Sequence, residues 1–126
     1  MVLSNRLKNE NIEEYNIMKK VFIGEELYKK TSINDLIIFG IYLLNSDNKK
    51  CNFETLAHKC FTLFPKVFSL SQYPKWPDTR KLDRPIRSLR GEGMIAGSPK
   101  SSFSLTRKGR KKALEISKSF RQAKLL

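Results

Sequence analysis

A chain of 126 residues is long enough to bury one real core and too short to build two domains around separate ones. Its formal charge of +13 points to a polyanionic partner, and the charge is local: residues 1–74 carry ten Lys/Arg against eight Asp/Glu, residues 75–126 fifteen against four. Two cysteines and a single histidine, all between Cys51 and Cys60, exclude a disulfide framework and fall short of the four ligands of a structural zinc site.

The N-terminal "MVLSNRLKNE" lacks the apolar run of a signal peptide. The longest apolar stretch, "LIIFGIYLL" at 36–44, is about half of the ~20 residues needed to span a bilayer. The expectation is a soluble, cytoplasmic protein without a membrane partner, nucleoid-associated if bacterial or archaeal. In "NIEEYNIMKKVF", Ile12, Tyr15, Met18 and Phe22 fall near one helical face, and Gly24 interrupts the pattern before "EELYKKTS". This N-terminal extension, residues 1–31, packs either on its own domain or on a second subunit; the second option makes it a dimerisation element.

Ser32 with Asp35 three residues later is a capping-box-like start for a helix over "INDLIIFGIYLLN", which is apolar almost all round and so should be central and buried. After the polar "NSDNKK", Asn52 is a good N-cap for "FETLAHKCFTLF", which stops at Pro65 with Leu56, Cys60 and Phe64 on one face. Cys60 reads as a reduced core residue, Cys51 as either buried or exposed, and His58 as a residue of the helix surface. "KVFSLSQYPKWPD" is a loop in which Tyr73, Lys75 and Trp76 either touch DNA or, as such aromatics more often do, cover the core beneath them.

Asp78 can cap a helix running to about Arg90 and ending at Gly91 or Gly93. Pro85 implies a kink there, or a separate first turn with the regular part starting at Asp83. With a step of about 100° per residue and Leu82 at zero, Ile86 falls at about 40° and Leu89 at about −20°, whereas Arg80, Arg84 and Arg87 stand at about 160°, 200° and 140°. A helix anchored by one stripe with an arginine row opposite suits a DNA major groove, because Arg can contact guanine edges in a bidentate way and grip phosphates. The bland alternative is a solvated helix face. "MIAGS" and "SFSL" read as two short strands around "PKS", and Thr106 can cap a final helix with Ala113, Ile116, Phe120 and Ala123 along one face.

The string "IRSLRGEGMIAGS…FSLTRKGRKKA" resembles the end of a winged helix-turn-helix DNA-binding domain, in which a recognition helix leaves through glycine into a two-stranded wing. A Leu-Thr-x-x-Gly string, here Leu105, Thr106 and Gly109, then opens the next helix. The resemblance covers about residues 32–118, leaving 119–126 as the end of the C-terminal helix. It departs from the family pattern at Pro85 and in the length of the connection before the basic helix. The expected fold is mainly α with a small β-hairpin (α+β), a winged helix-turn-helix with extra N- and C-terminal helices.

The resemblance implies a non-enzymatic, sequence-specific protein for double-stranded DNA. It would act as a homodimeric transcriptional regulator with no cofactor assigned and its effector unknown. The candidate DNA contacts are Arg80, Lys81, Arg84 and Arg87 on the helix, Lys100, Ser101 and Ser102 on the wing, Lys108 beyond it, and Lys75 and Trp76 on the loop. The alternative is a winged helix serving as a protein-interaction or accessory subunit of a nucleic-acid-processing or defence complex. A nuclease is disfavoured, because Asp78, Asp83, Glu92 and Glu115 have no spacing that suggests a shared metal site, and P-loop and dinucleotide fingerprints are absent.

Overall fold

The computed structural model describes residues 22–125; the expected helix through Ile12, Tyr15 and Met18 lies outside the described residues. Helix α1 (Glu25–Lys30) follows Gly24 and buries Tyr28, flanked by the buried Ile23. The Tyr28 ring meets Phe64 edge-on at 5.4 Å, and its hydroxyl accepts the backbone N–H of Lys66 at 3.1 Å, so the buried phenol keeps a partner. The end of the N-terminal extension therefore belongs to the core.

Helix α2 (Ile33–Ser46) starts as its sequence predicts: the Ser32 hydroxyl accepts the Asp35 N–H at 3.2 Å, with the Asp35 carboxylate in the first turn. It is the centre of the molecule. Leu36, Ile37, Ile38, Phe39, Ile41, Leu43 and Leu44 are all buried, and the later helices pack around it. Helix α3 (Phe53–Leu63) is capped by Asn52, whose carboxamide oxygen accepts both the N–H and the hydroxyl of Thr55 at 2.8 Å. Pro65 ends α3 and opens a single turn, α4 (Pro65–Phe68), where a missing N–H costs nothing because first-turn donors have no helical partner. The rings of Phe39, Phe64, Phe68 and Phe120 form a connected chain with centroid separations of 5.0–6.4 Å that ties α2, α3, α4 and the last helix together.

Helix α5 (Arg80–Gly91) begins one residue later than the Asp78 cap suggests, with the Asp78 carboxylate accepting the Arg80 N–H at 3.2 Å, and passes through Pro85 without a break. Proline at this position removes one donor, the bond to the Lys81 carbonyl, while the turn before it is held by Lys81 N–H to Asp78 O and Leu82 N–H to Thr79 O. Of the two expectations at Pro85, a kink or a separate first turn, the second is overturned, because the helix is continuous from Arg80 to Gly91.

The antiparallel strands β1 (Ile95–Ala96) and β2 (Ser104–Leu105) pair Ile95 with Leu105 and Ala96 with Ser104. They are shorter than "MIAGS" and "SFSL": the Phe103 N–H leaves the hairpin for Cys51 O at 2.7 Å, while the Thr106 N–H to Met94 O bond at 3.1 Å continues the pairing one step beyond the strands at their other end. Helix α6 (Arg107–Leu125) buries Ala113, Ile116 and Phe120; Ala123, expected on that stripe, is exposed, so the core contact ends at Phe120. Cys51 and Cys60 are both buried free thiols, and burial pushes Cys51 up to about 12 and Cys60 still further above the ordinary thiol range. Among the described residues no helix is long and apolar enough to cross a membrane.

Candidate nucleic-acid interface

Helix α5 divides cleanly between two faces. Leu82, Ile86 and Leu89 are buried, each contributing on the order of 1.5–3 kcal/mol of burial, and this stripe fixes the rotation of the helix. Arg84 and Arg87 stand exposed on the opposite side. Arg90 is exposed as well, but at about 80° on the same wheel it flanks the apolar stripe and stands apart from the row. Among the described residues no ion pair or side-chain hydrogen bond occupies Arg84, Arg87 or Arg90.

The two cations at the start of α5 behave differently. Arg80 is exposed over 83 % of its side chain, yet its guanidinium forks onto Asp78, with Nε to Oδ1 at 3.1 Å and Nη2 to Oδ2 at 3.4 Å. This pairing holds the Asp78 carboxyl below the usual carboxylate range and lifts Arg80 above its own ordinary value. Arg80 is therefore a partly neutralised member of the row. Lys81 is not a member at all. It lies at about −100° on the same wheel, beside the apolar stripe, and its ammonium donates to the carbonyls of Val67 at 2.7 Å and Ser69 at 3.4 Å. It closes the C-terminal end of α4 against α5, so that, unlike Arg84 and Arg87, its charged end is already engaged within the fold.

The hairpin projects a turn over Ser98–Ser101, closed by Ser101 N–H to Ser98 O at 3.0 Å. The Ser101 hydroxyl is occupied within that turn by the Ser98 N–H and hydroxyl, and Ser102 is half-buried, so both serines shape the tip. Lys100 is the exposed cation it presents. Gly97, at φ +105°, is required here: a side chain would run into the Ser102 carbonyl across the hairpin. The Lys108 ammonium is exposed and donates to the Glu92 carbonyl at 3.0 Å, which places it beside the end of α5.

One clasp joins these pieces. The Thr106 hydroxyl donates toward the Gly93 and Met94 carbonyls and accepts the Gly109 N–H at 3.0 Å, capping α6 while gripping the turn that leaves α5. Gly109 packs against the Met94 carbonyl so closely that any Cβ would collide with it. The Leu-Thr-x-x-Gly spacing has a physical reason here: threonine caps, and glycine admits the backbone it caps against.

The 69–77 loop does not cover the core. Tyr73 and Trp76 are 64 % and 65 % exposed, and Lys75 between them is exposed too, which overturns the expectation that the aromatics lie over buried side chains. Further cations of α6 that sequence reading left aside, Arg107, Lys111, Lys118 and Arg121, are also exposed, between about 80° and 160° from Ala113 on the α6 wheel. Among the described residues no group of His, Cys, Asp and Glu is placed to hold a metal ion. No family model, curated protein or solved structure matches the chain.

Proposed function

We propose that the chain is a winged helix-turn-helix protein that binds double-stranded DNA in a sequence-specific way, acting as a homodimeric transcriptional regulator. In this reading α2, α3 and α5 are the three-helix unit, β1–β2 the wing and α5 the helix that enters the major groove. Arg84 and Arg87 contact base edges, while Lys100 at the wing tip and Lys108 at the start of α6 contact phosphates. The observation that carries it is the split face of α5: three buried aliphatic residues behind, and arginines without an acidic partner in front. The second subunit is assigned to the N-terminal segment, next to which Phe22 stands 72 % exposed.

Titration of labelled duplexes tests the reading. If a dimer neutralises about six to ten phosphates, affinity falls by ~10³–10⁵ between 50 and 200 mM salt. Arg84→Ala or Arg87→Ala costs ~1–3 kcal/mol on the preferred site and relaxes one base position, and sedimentation gives twice the chain mass. A flat salt response, or no duplex binding at low salt, overturns the nucleic-acid reading, and an unchanged sequence preference in both variants removes α5 as the reading element.

A further inference from the structure

The loop between α4 and α5 is built to hold its two aromatic rings out in solvent. Its base is closed by the antiparallel Ser69–Pro77 bridge, which consists of two hydrogen bonds, Leu70 N–H to Trp76 O at 2.9 Å and Asp78 N–H to Phe68 O at 2.7 Å. Lys81 of α5 bonds the Val67 and Ser69 carbonyls, which fixes the loop to the first turn of the arginine helix. At the tip Tyr73, Pro74, Lys75 and Trp76 form a turn closed by Trp76 N–H to Tyr73 O at 3.0 Å. Proline at the second position pre-sets that turn, and Pro77 stiffens its exit. Little further conformational entropy is then lost when the rings are covered, which is what a binding element needs. Among the described residues the paired aromatics are Tyr28, Phe39, Tyr42, Phe64, Phe68 and Phe120, so neither Tyr73 nor Trp76 meets another ring.

The chemistry of the tip selects the partner. In the chain Lys75 stands between two largely exposed aromatic residues, residues 69–77 contain no acidic side chain, and the next carboxylate along the chain, Asp78, is already paired with Arg80. A backbone-following cation with flanking aromatic platforms is the combination that holds single strands of nucleic acid. Bases inside a duplex have both faces covered by their neighbours, and opening a step costs a few kcal/mol. Unpaired bases offer a free face. We propose that the Tyr73–Trp76 turn stacks on unpaired bases flanking the duplex held by α5, so that the preferred substrate is a duplex with a single-stranded tail. This rests on the DNA-binding reading above and narrows its substrate class.

Trp76 is the only tryptophan of the chain, so its emission reports on this turn alone. The probes are one blunt duplex and the same duplex with thymine tails of about six nucleotides on its 5′ or its 3′ ends. The full chain should bind at least one tailed form more tightly than the blunt one, with Trp76 emission quenched by the tail. Trp76→Ala should lower affinity for that tailed form roughly 5- to 150-fold, so that the tailed-to-blunt preference collapses toward one, and Trp76→Phe should retain much of it. Tailed and blunt duplexes bound equally by the full chain, without tail-dependent quenching, overturn the proposal and turn the loop over to a protein partner. The α5 reading fails separately: Arg84→Ala and Arg87→Ala then leave blunt-duplex binding unchanged, whatever Trp76 does.

Discussion

Replacing Lys81 by methionine separates a cation that builds the structure from the cations assigned to DNA under the proposed function. Methionine keeps most of the aliphatic stem beside Leu82 and removes only the ammonium. Two carbonyls lose their donor, those of Val67 and Ser69, but the second contact at 3.4 Å is at the edge of a useful hydrogen bond. One charge-assisted bond in a partly buried setting contributes about 1–2 kcal/mol, after discounting the upper range of ~3 kcal/mol for solvent access. For a domain of this size that is a drop of roughly 4–10 °C in Tm.

Thermal melts followed by circular dichroism measure the first half, and duplex titrations at several salt concentrations, run well below the lowered Tm, measure the second. Lys81→Met should leave the salt slope where it was, because an ammonium bonded to α4 neutralises no phosphate. Lys108→Met gives a different pattern: its bond to the Glu92 carbonyl is exposed, so Tm falls by less than in Lys81→Met, and under the DNA-binding reading the slope is lower by roughly one. If Lys81→Met melts like the parent and lowers the slope instead, the ammonium lies outward in solution, and both the closure of the loop and the assignment of Lys81 are wrong.

Two further outcomes follow from the same contacts. Gly97→Ala forces a Cβ against the Ser102 carbonyl at a φ of +105°, so it should destabilise by about 1–3 kcal/mol and broaden the wing amide signals in NMR; a variant as stable as the parent contradicts the hairpin geometry. Asp78 has its folded pKa lowered, chiefly by the Arg80 hydrogen bond, so its stabilising contribution is full above the unfolded carboxylate value of about 3.9 and is lost as pH falls through the lower folded value. Asp78→Asn should therefore lower Tm at pH 7 and make little difference in strong acid, and a constant difference down to pH ~2 excludes the linkage.

Much of this architecture was legible because local chemistry and global packing agree. Ser32 and Asn52 cap where their side chains can reach a third-residue N–H, and the apolar steps of α2, α3 and α5 are all filled by buried residues. The errors share one cause, since each depends on which distant group a side chain or backbone atom finds. Lys81 was grouped with the arginines by charge, although its place at about −100°, on the Leu89 side of the wheel, already set it apart from the row; only the folded chain brings the Val67 carbonyl to its tip. The loop aromatics looked like core cover because hydrophobicity alone says nothing about a turn that lifts them away, and that turn depends on the pairing of Ser69 with Pro77. Strand length was overestimated for a similar reason, with the Phe103 N–H taken by Cys51 far back in the chain.

The cations of the proposed interface also differ in how firmly they are held, and this bears on how the surface would work. Thr106 and Gly109 lock the exit of α5 to the entry of α6, and Phe103 ties the wing to the α2–α3 connection through Cys51. Arg84, Arg87, Lys100 and Lys108 therefore extend from backbone whose relative positions are set before any ligand arrives. A surface of this kind loses side-chain freedom on binding but little backbone freedom, so each contact keeps more of its gross energy. Lys81 carries the same principle to the loop: the cation whose ammonium is engaged by the Val67 and Ser69 carbonyls is the one that fixes the Tyr73–Trp76 turn to the arginine helix. Its charge acts on the proposed interface through position, which a sequence read by charge alone does not show.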